Sequence, residues 1–260
     1  MWLLWLYDAI NNLAPLRLQL ALGHARAILH LESTLGIDPE HALDGWLAGH
    51  HTFGLVLSDY YDNAHFVVTL SLLGWLWWRR ADLYRPLRNS LVLVNLLGFV
   101  VFWLYPVAPP RMLPGFTDVV AATHAIGSWH TGALASEANE LAAMPSLHIA
   151  WAAWCTLALW RISRRRWVRG LAVLYPCMTA VAVLATGNHF LLDIVGGLVA
   201  IAVAVLARPV DELAKLYGSQ FQLQGLSFPL GASVLALAVG LSWFGSWLAA
   251  TRHIRGIDPT

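Results

Sequence analysis

Apolar residues in this chain gather into long, nearly unbroken runs rather than the spaced stripes of soluble helices. Five runs, roughly 64–78, 89–107, 145–162, 167–187 and 189–207, approach the length of about 20 residues that carries a helix across a bilayer. A sixth run covers roughly 228–249. An earlier segment, about 13–35, contains Arg17, His24, Arg26, His30 and Glu32. It is either a first span with a polar face or a helix lying in the interface. The pattern predicts an all-α polytopic membrane helix bundle of six to seven spans, forming one membrane domain over residues 1–260. The opening MWLLWLYDAINN has neither the basic start nor the small-residue cleavage site of a signal peptide.

Composition sharpens this picture. Apolar residues make up 58% of the chain and charged residues 12%, against roughly 25% charged in soluble domains. Such a surface cannot be kept in water, and disorder is excluded by the same balance. The 14 tryptophans suit membrane interfaces. A net charge of +1 gives no electrostatic footprint for nucleic acid. Cys155 and Cys177 form neither a disulfide framework nor a zinc pattern.

Basic residues set the orientation. Arg79, Arg80, Arg85 and Arg88 follow the 64–78 run. Arg161, Arg164, Arg165, Arg166 and Arg169 separate 145–162 from 167–187, and Arg208 and Lys215 follow 189–207. With one crossing per run, all three clusters fall on the cytoplasmic side. Arg252 and Arg255 then fall outside if 228–249 crosses fully.

Three polar segments share the opposite side: YPVAPPRMLPG at 105–115, AAMPSLHIAW at 142–151 and ATGNHFLLDIVGG at 185–197. The topology alone brings them to one depth, and it was assigned from arginines outside them. His189 and Asp193 are four apart, hence on one helical face. A carboxylate there fixes the imidazole tautomer and leaves the other nitrogen to attack or bind; the same pair would equally serve to lock two helices together. Pro145 suits a first helical turn, where Ser146, Leu147 and His148 would offer N–H groups to an anion; an ordinary helix start reads the same way. Arg111, after two prolines, offers a planar fork to phosphate or an anchor to lipid headgroups.

These residues carry a resemblance. MPSLH at 144–148 and GNHFLLD at 187–193 resemble the second and third signature motifs of the type-2 phosphatidic acid phosphatase superfamily. The APPR stretch and the Leu of PSLH resemble most its inositol phosphorylceramide synthase-like, inositolphosphotransferase branch. The likeness spans about residues 87–208, the motif-bearing core. It implies a phosphohistidine on His189, with Asp193 orienting that ring and His148 as general acid. It implies phosphate binding by Arg111, Ser146 and Asn188, and needs no metal or other cofactor. The substrate would be a phospholipid or prenyl phosphate, converted by a lipid phosphatase or headgroup phosphotransferase. The site would lie on the extracytoplasmic side of a multi-pass cell-membrane protein.

The chain also departs from the family pattern. The first motif's Lys position holds Trp78 before Arg85-Pro86, the Ser-Arg of the third motif is replaced by Ala182 and Val183, and Leu147 replaces a Gly. Fewer cations suit a singly charged phosphodiester better than a dianionic monoester.

Other polar sites remain. Asp59, Asp62 and His65 share a helical face and either shape an acceptor pocket or cap an interface. The long 112–143 connection, with His124, His130 and Glu137, has the length of a lid or binding loop. Two competing readings use the same residues. One is a metal-dependent hydrolase with His148, His189 and Asp193 as ligands; the other is a non-catalytic lipid carrier.

Overall fold

The computed structural model describes residues 17–123 and 141–216, with side chains up to Ala207. The 228–249 run, His124, His130, Glu137, the opening residues, Arg252 and Arg255, and the side chains of Arg208 and Lys215 lie outside the described residues. The chain divides into two compact units, Met1–Leu206 and Ala207–Thr260. The helices below belong to the first, apart from the last turns of the final one.

The described residues are helices joined by short connections, and no strand occurs among them. The helices are α1 (Leu18–Leu35), α2 (Pro39–Ala48), α3 (His51–Arg79), α4 (Ala81–Leu104), α5 (Val119–Thr123), α6 (Leu147–Ile162), α7 (Arg166–Ala185) and α8 (Leu191–Leu216). A 3-10 turn covers Pro110–Met112. Helix α1 stops at Gly36, whose φ of 67° suits a residue without a β-carbon. Pro39 then opens α2, where its missing N–H costs nothing.

Helix α3 is longer than the 64–78 run, since it begins at His51 and takes in Ser58–His65. Arg80 alone joins α3 to α4. Arg85 and Arg88 therefore stand in the first turns of α4, and not in a loop between two spans.

One apolar cluster ties Leu76 of α3, Leu87 and Leu91 of α4, Trp154 and Ala158 of α6, and Ile201 and Ala204 of α8. The Trp154 indole crosses between helices to donate to the Leu87 carbonyl at 2.9 Å. The C-terminal half of α3 thus lies beside the start of α4 and the later turns of α6 and α8. The opposite ends of these helices meet at the polar turns.

Each long helix also turns an apolar stripe outward: Val92, Leu96 and Val100 on α4, Leu171, Leu174, Met178 and Val181 on α7, and Val195, Leu198 and Val203 on α8 are exposed. Among the described residues, α4 and α7 are long and apolar enough to cross a membrane, and Leu191–Ala207 is apolar but shorter.

Helix α1 does not run through the bundle. Arg17 donates to the Trp103 carbonyl, the Ala21 carbonyl accepts from Ala108 N–H at 3.2 Å, and His24 stacks on Tyr105 while bonding the Pro106 carbonyl. At its other end, Glu32 meets Leu192. All of these partners lie at the end of α4 or the start of α8, so α1 lies across that end of the bundle. Its small residues Ala21, Ala25 and Ile28 pack there on Val107, Ala108, Leu113, Ala143 and Phe190.

Candidate active site

The starts of α6 and α8 meet under α1 and α2. Ser146 is the N-cap of α6, and its hydroxyl accepts from Ile149 N–H. Pro145 therefore precedes the cap, two places before the first helical position expected for it. With Ser146 extended, its own N–H turns away from α6 and donates to the Asp193 carbonyl at 3.0 Å. Two glycines let the helices come this close. A β-carbon on Gly197 would stand 2.4 Å from the Ser146 carbonyl oxygen, and one on Gly196 3.3 Å from Pro145. Across α6, a β-carbon on Gly98 would stand 2.8 Å from Leu147, so Gly98 is the complement of that leucine.

His189 lies in the turn between α7 and α8, 4% exposed. Its Nδ1 is 2.8 Å from the Ala143 carbonyl and 3.4 Å from Asp193 Oδ2. A carbonyl only accepts, so Nδ1 carries the proton and Nε2 keeps its lone pair. The main chain is thus the nearer partner, and the carboxylate, expected to fix the ring alone, shares that task. Asp193 Oδ2 also accepts from Phe190 N–H at 2.8 Å, closing the first turn of its own helix. His189 Nε2 faces His148 Nδ1 at 3.4 Å, with ring centroids 5.5 Å apart.

The three groups do not form a ligand set. Asp193 lies on the Nδ1 side of His189 and His148 on the Nε2 side, and no cluster among the described residues is arranged to hold a metal ion.

Arg111 and Asn188 meet directly. The Arg111 guanidinium donates to Asn188 Oδ1 and pairs with Asp118 at 3.2 Å, its side chain 5% exposed. Arg111 N–H donates to the Gly187 carbonyl at 2.8 Å. Asn188 Nδ2 is taken up by Thr186. Asn188 thus aims Arg111 rather than presenting its own amide outward. Gly187 has a φ of 66°, with Asp44, Thr117 and Arg111 crowding the place of a β-carbon.

Further side chains close around this site. Tyr61 stacks on His148 at 4.5 Å, and His65 stands edge-on to it at 4.4 Å. His65, from the Asp59, Asp62 and His65 face, thus packs directly on the histidine pair. Asp44 of α2 accepts from Thr117 N–H at 2.9 Å, and burial pushes its carboxyl above the usual range while that bond pulls it down. Glu32 accepts from Leu192 N–H at 2.6 Å. Burial first, and then its contact with Glu40, push the Glu32 carboxyl up to about 9. The visible signal for Glu32 was its place on the polar face of a segment too charged to cross a membrane comfortably.

The model of the PAP2 superfamily matches residues 26–207. Short stretches are similar to two proteins described as cell division protein FtsX. The one from Aeromonas hydrophila is 41% identical over 51 residues, 20% of this chain and 16% of that protein. The one from Pseudomonas putida is 38% identical over 63 residues, 24% and 18% respectively. The chain thus covers less than a fifth of either relative. No solved structure matches.

Proposed function

The chain belongs to the PAP2 superfamily, and on that premise we propose that it is a lipid phosphatase or phosphotransferase working through a phosphohistidine on His189. The observation that carries this reading is the facing pair: an imidazole whose Nδ1–H is tied to a carbonyl, with its Nε2 3.4 Å from a second imidazole.

In the first step, the Nε2 lone pair attacks phosphorus and the ester P–O bond breaks. His148 gives its proton to the departing alkoxide oxygen, help typically worth about 10²–10⁴-fold. In the second step, water or an alcohol attacks the phosphohistidine, the P–N bond breaks and His148 takes the attacker's proton. Arg111 and the N–H groups at the start of α6 hold the phosphoryl oxygens, where developing charge is met by fixed donors. Ser146 keeps a hydroxyl proton to offer, since its oxygen accepts from Ile149.

The outward apolar stripes support a membrane protein. We place spans at α3, α4, α6, α7 and α8. Helices α1 and α2 then cover the extracytoplasmic end, and the arginines of the α3–α4 and α6–α7 connections face the cytoplasm. Arg111 is already paired with Asp118, so the site holds little uncompensated positive charge. This favours a singly charged phosphodiester, as in the inositolphosphotransferase-like branch.

The test is to incubate the purified protein with phospholipids and prenyl pyrophosphates, with and without inositol, and to identify products by mass spectrometry. Acid-labile phosphate on His189 and its loss in His189→Ala are expected. Turnover that survives His189→Ala would overturn the mechanism.

A further inference from the structure

Two acidic side chains that this chemistry leaves unused lie beside it. Glu32 of α1 and Glu40 of α2 are fully buried. Glu32 Oε1 accepts from Leu192 N–H at 2.6 Å. Its other oxygen and both Glu40 oxygens meet no hydrogen-bond partner among the described residues. Glu40 stands close enough to Glu32 to disfavour the ionised form of the Glu32 carboxyl. Leu192 is the second residue of α8, one before Asp193 and three after His189. Its N–H is among the first four of the helix, which have no partner within it.

We infer that Glu32, backed by Glu40, is a positioning residue for the His189–Asp193 pair. It acts through the main chain. By holding Leu192 N–H, Glu32 fixes the first turn of α8. Asp193 stands in that turn, its Oδ2 bonded to Phe190 N–H and its carbonyl receiving Ser146 N–H. A tilt of the turn would therefore move both Asp193 and the start of α6 relative to His189. Two helices without recognisable motifs thus become part of the active-site framework. The acidic groups that face Glu32 are Glu40 from α2 and Asp193 from α8. The role in turnover rests on the phosphohistidine reading above; the clamp itself does not.

The experiment uses the full chain in detergent micelles, comparing wild type with Glu32→Leu and Glu32→Gln. Amide hydrogen exchange over residues 190–194, read without substrate, reports the clamp. Turnover of phosphatidic acid and phosphatidylinositol, with kcat and KM separated, reports the consequence. Glu32→Leu is expected to speed exchange in that segment at least about tenfold. It should lower kcat by about 10–100-fold with KM nearly unchanged, the penalty for a misplacement on the order of 1 Å. Glu32→Gln keeps an oxygen for Leu192 and offers its amide to Glu40, and should restore both readouts.

Unchanged exchange in Glu32→Leu overturns the clamp. A Glu32→Gln protein that folds but is as slow as Glu32→Leu overturns it as well, since an ionised carboxylate would then be what matters. If the exchange effect appears while wild type forms no phosphohistidine on any probe, the clamp stands and the phosphohistidine reading falls.

Discussion

Helices α6 and α8 each begin beside an imidazole, but they are started by different means. The start of α6 is local: Ser146 caps it and Pro145 precedes it. The start of α8 is assembled from afar: Asp193 closes the turn from within, Glu32 holds the Leu192 N–H from 160 residues upstream, and the Ala143 carbonyl holds the His189 ring. The helix start beside His148 thus rests on its own sequence neighbourhood, while the His189 turn is held by three separate parts of the chain. Local capping sets where a helix begins; placing a lone pair needs support from several directions.

The largest expected effect removes the nucleophile. His189→Ala should cut turnover by at least about 10³-fold, measured as phosphate or headgroup release. His148→Ala should be milder, about 10²–10⁴-fold on an alkyl ester, and nearly silent with p-nitrophenyl phosphate, whose leaving group departs without a proton. Equal losses on both esters would remove the distinction between the two histidines.

Next comes the contact between the two helix starts. Gly197→Ala puts a β-carbon where the Ser146 carbonyl stands. It should lower kcat by about 100-fold through displacement of the site and lower Tm, read by activity and thermal unfolding.

A pH series sharpens the long-range side. The Glu32 carboxyl is raised by burial and by Glu40 to about 9, so the folded protein binds this proton more tightly than the unfolded chain does. Its contribution to stability is complete below the ordinary carboxylate range and is lost as pH rises through about 9. Between the ordinary carboxylate range and about pH 9, wild type should therefore lose thermal stability more steeply than Glu32→Gln, and above that pH the two slopes should converge. Parallel curves would sink this expectation.

Ser146→Ala tests the local side. Losing a cap costs about 1 kcal/mol, so Tm should fall by a few degrees with turnover reduced less than in Gly197→Ala. The smallest effect is expected from Asp44→Asn. Burial already disfavours the ionised form there, and the amide oxygen still accepts from Thr117, so thermal unfolding should be nearly unchanged while Asp44→Ala is clearly destabilised.

The sequence made some of this legible because the signals are local. Apolar runs marked the cores of α4, α6, α7 and α8, and the four-residue spacing of His189 and Asp193 put them on one turn. The signature motifs brought His148 beside His189. Helix boundaries were less readable: the Ser58–His65 polar run, read as opening the span, lies well inside a helix that begins at His51, and its side chains find partners on other helices. Tyr60, for example, bonds Thr179 at 2.9 Å. The Ala143 carbonyl has no signature, because any residue supplies one. Glu32 and Asp44 were illegible as site residues because their meaning depends on which distant N–H they meet. The charge on α1 counted against a simple span, and its contacts run along one end of the bundle.

The one-residue hinge at Arg80 has a practical consequence at the other end of the molecule. Helices of 29 and 24 residues meet there with nothing to spare, so a protease finds no extended segment to grip and an inserted tag would prise the pair apart. Ser163–Arg165, between α6 and α7, is non-helical and partly to fully exposed, and is the place for a cleavage site or epitope that reports which compartment this end faces.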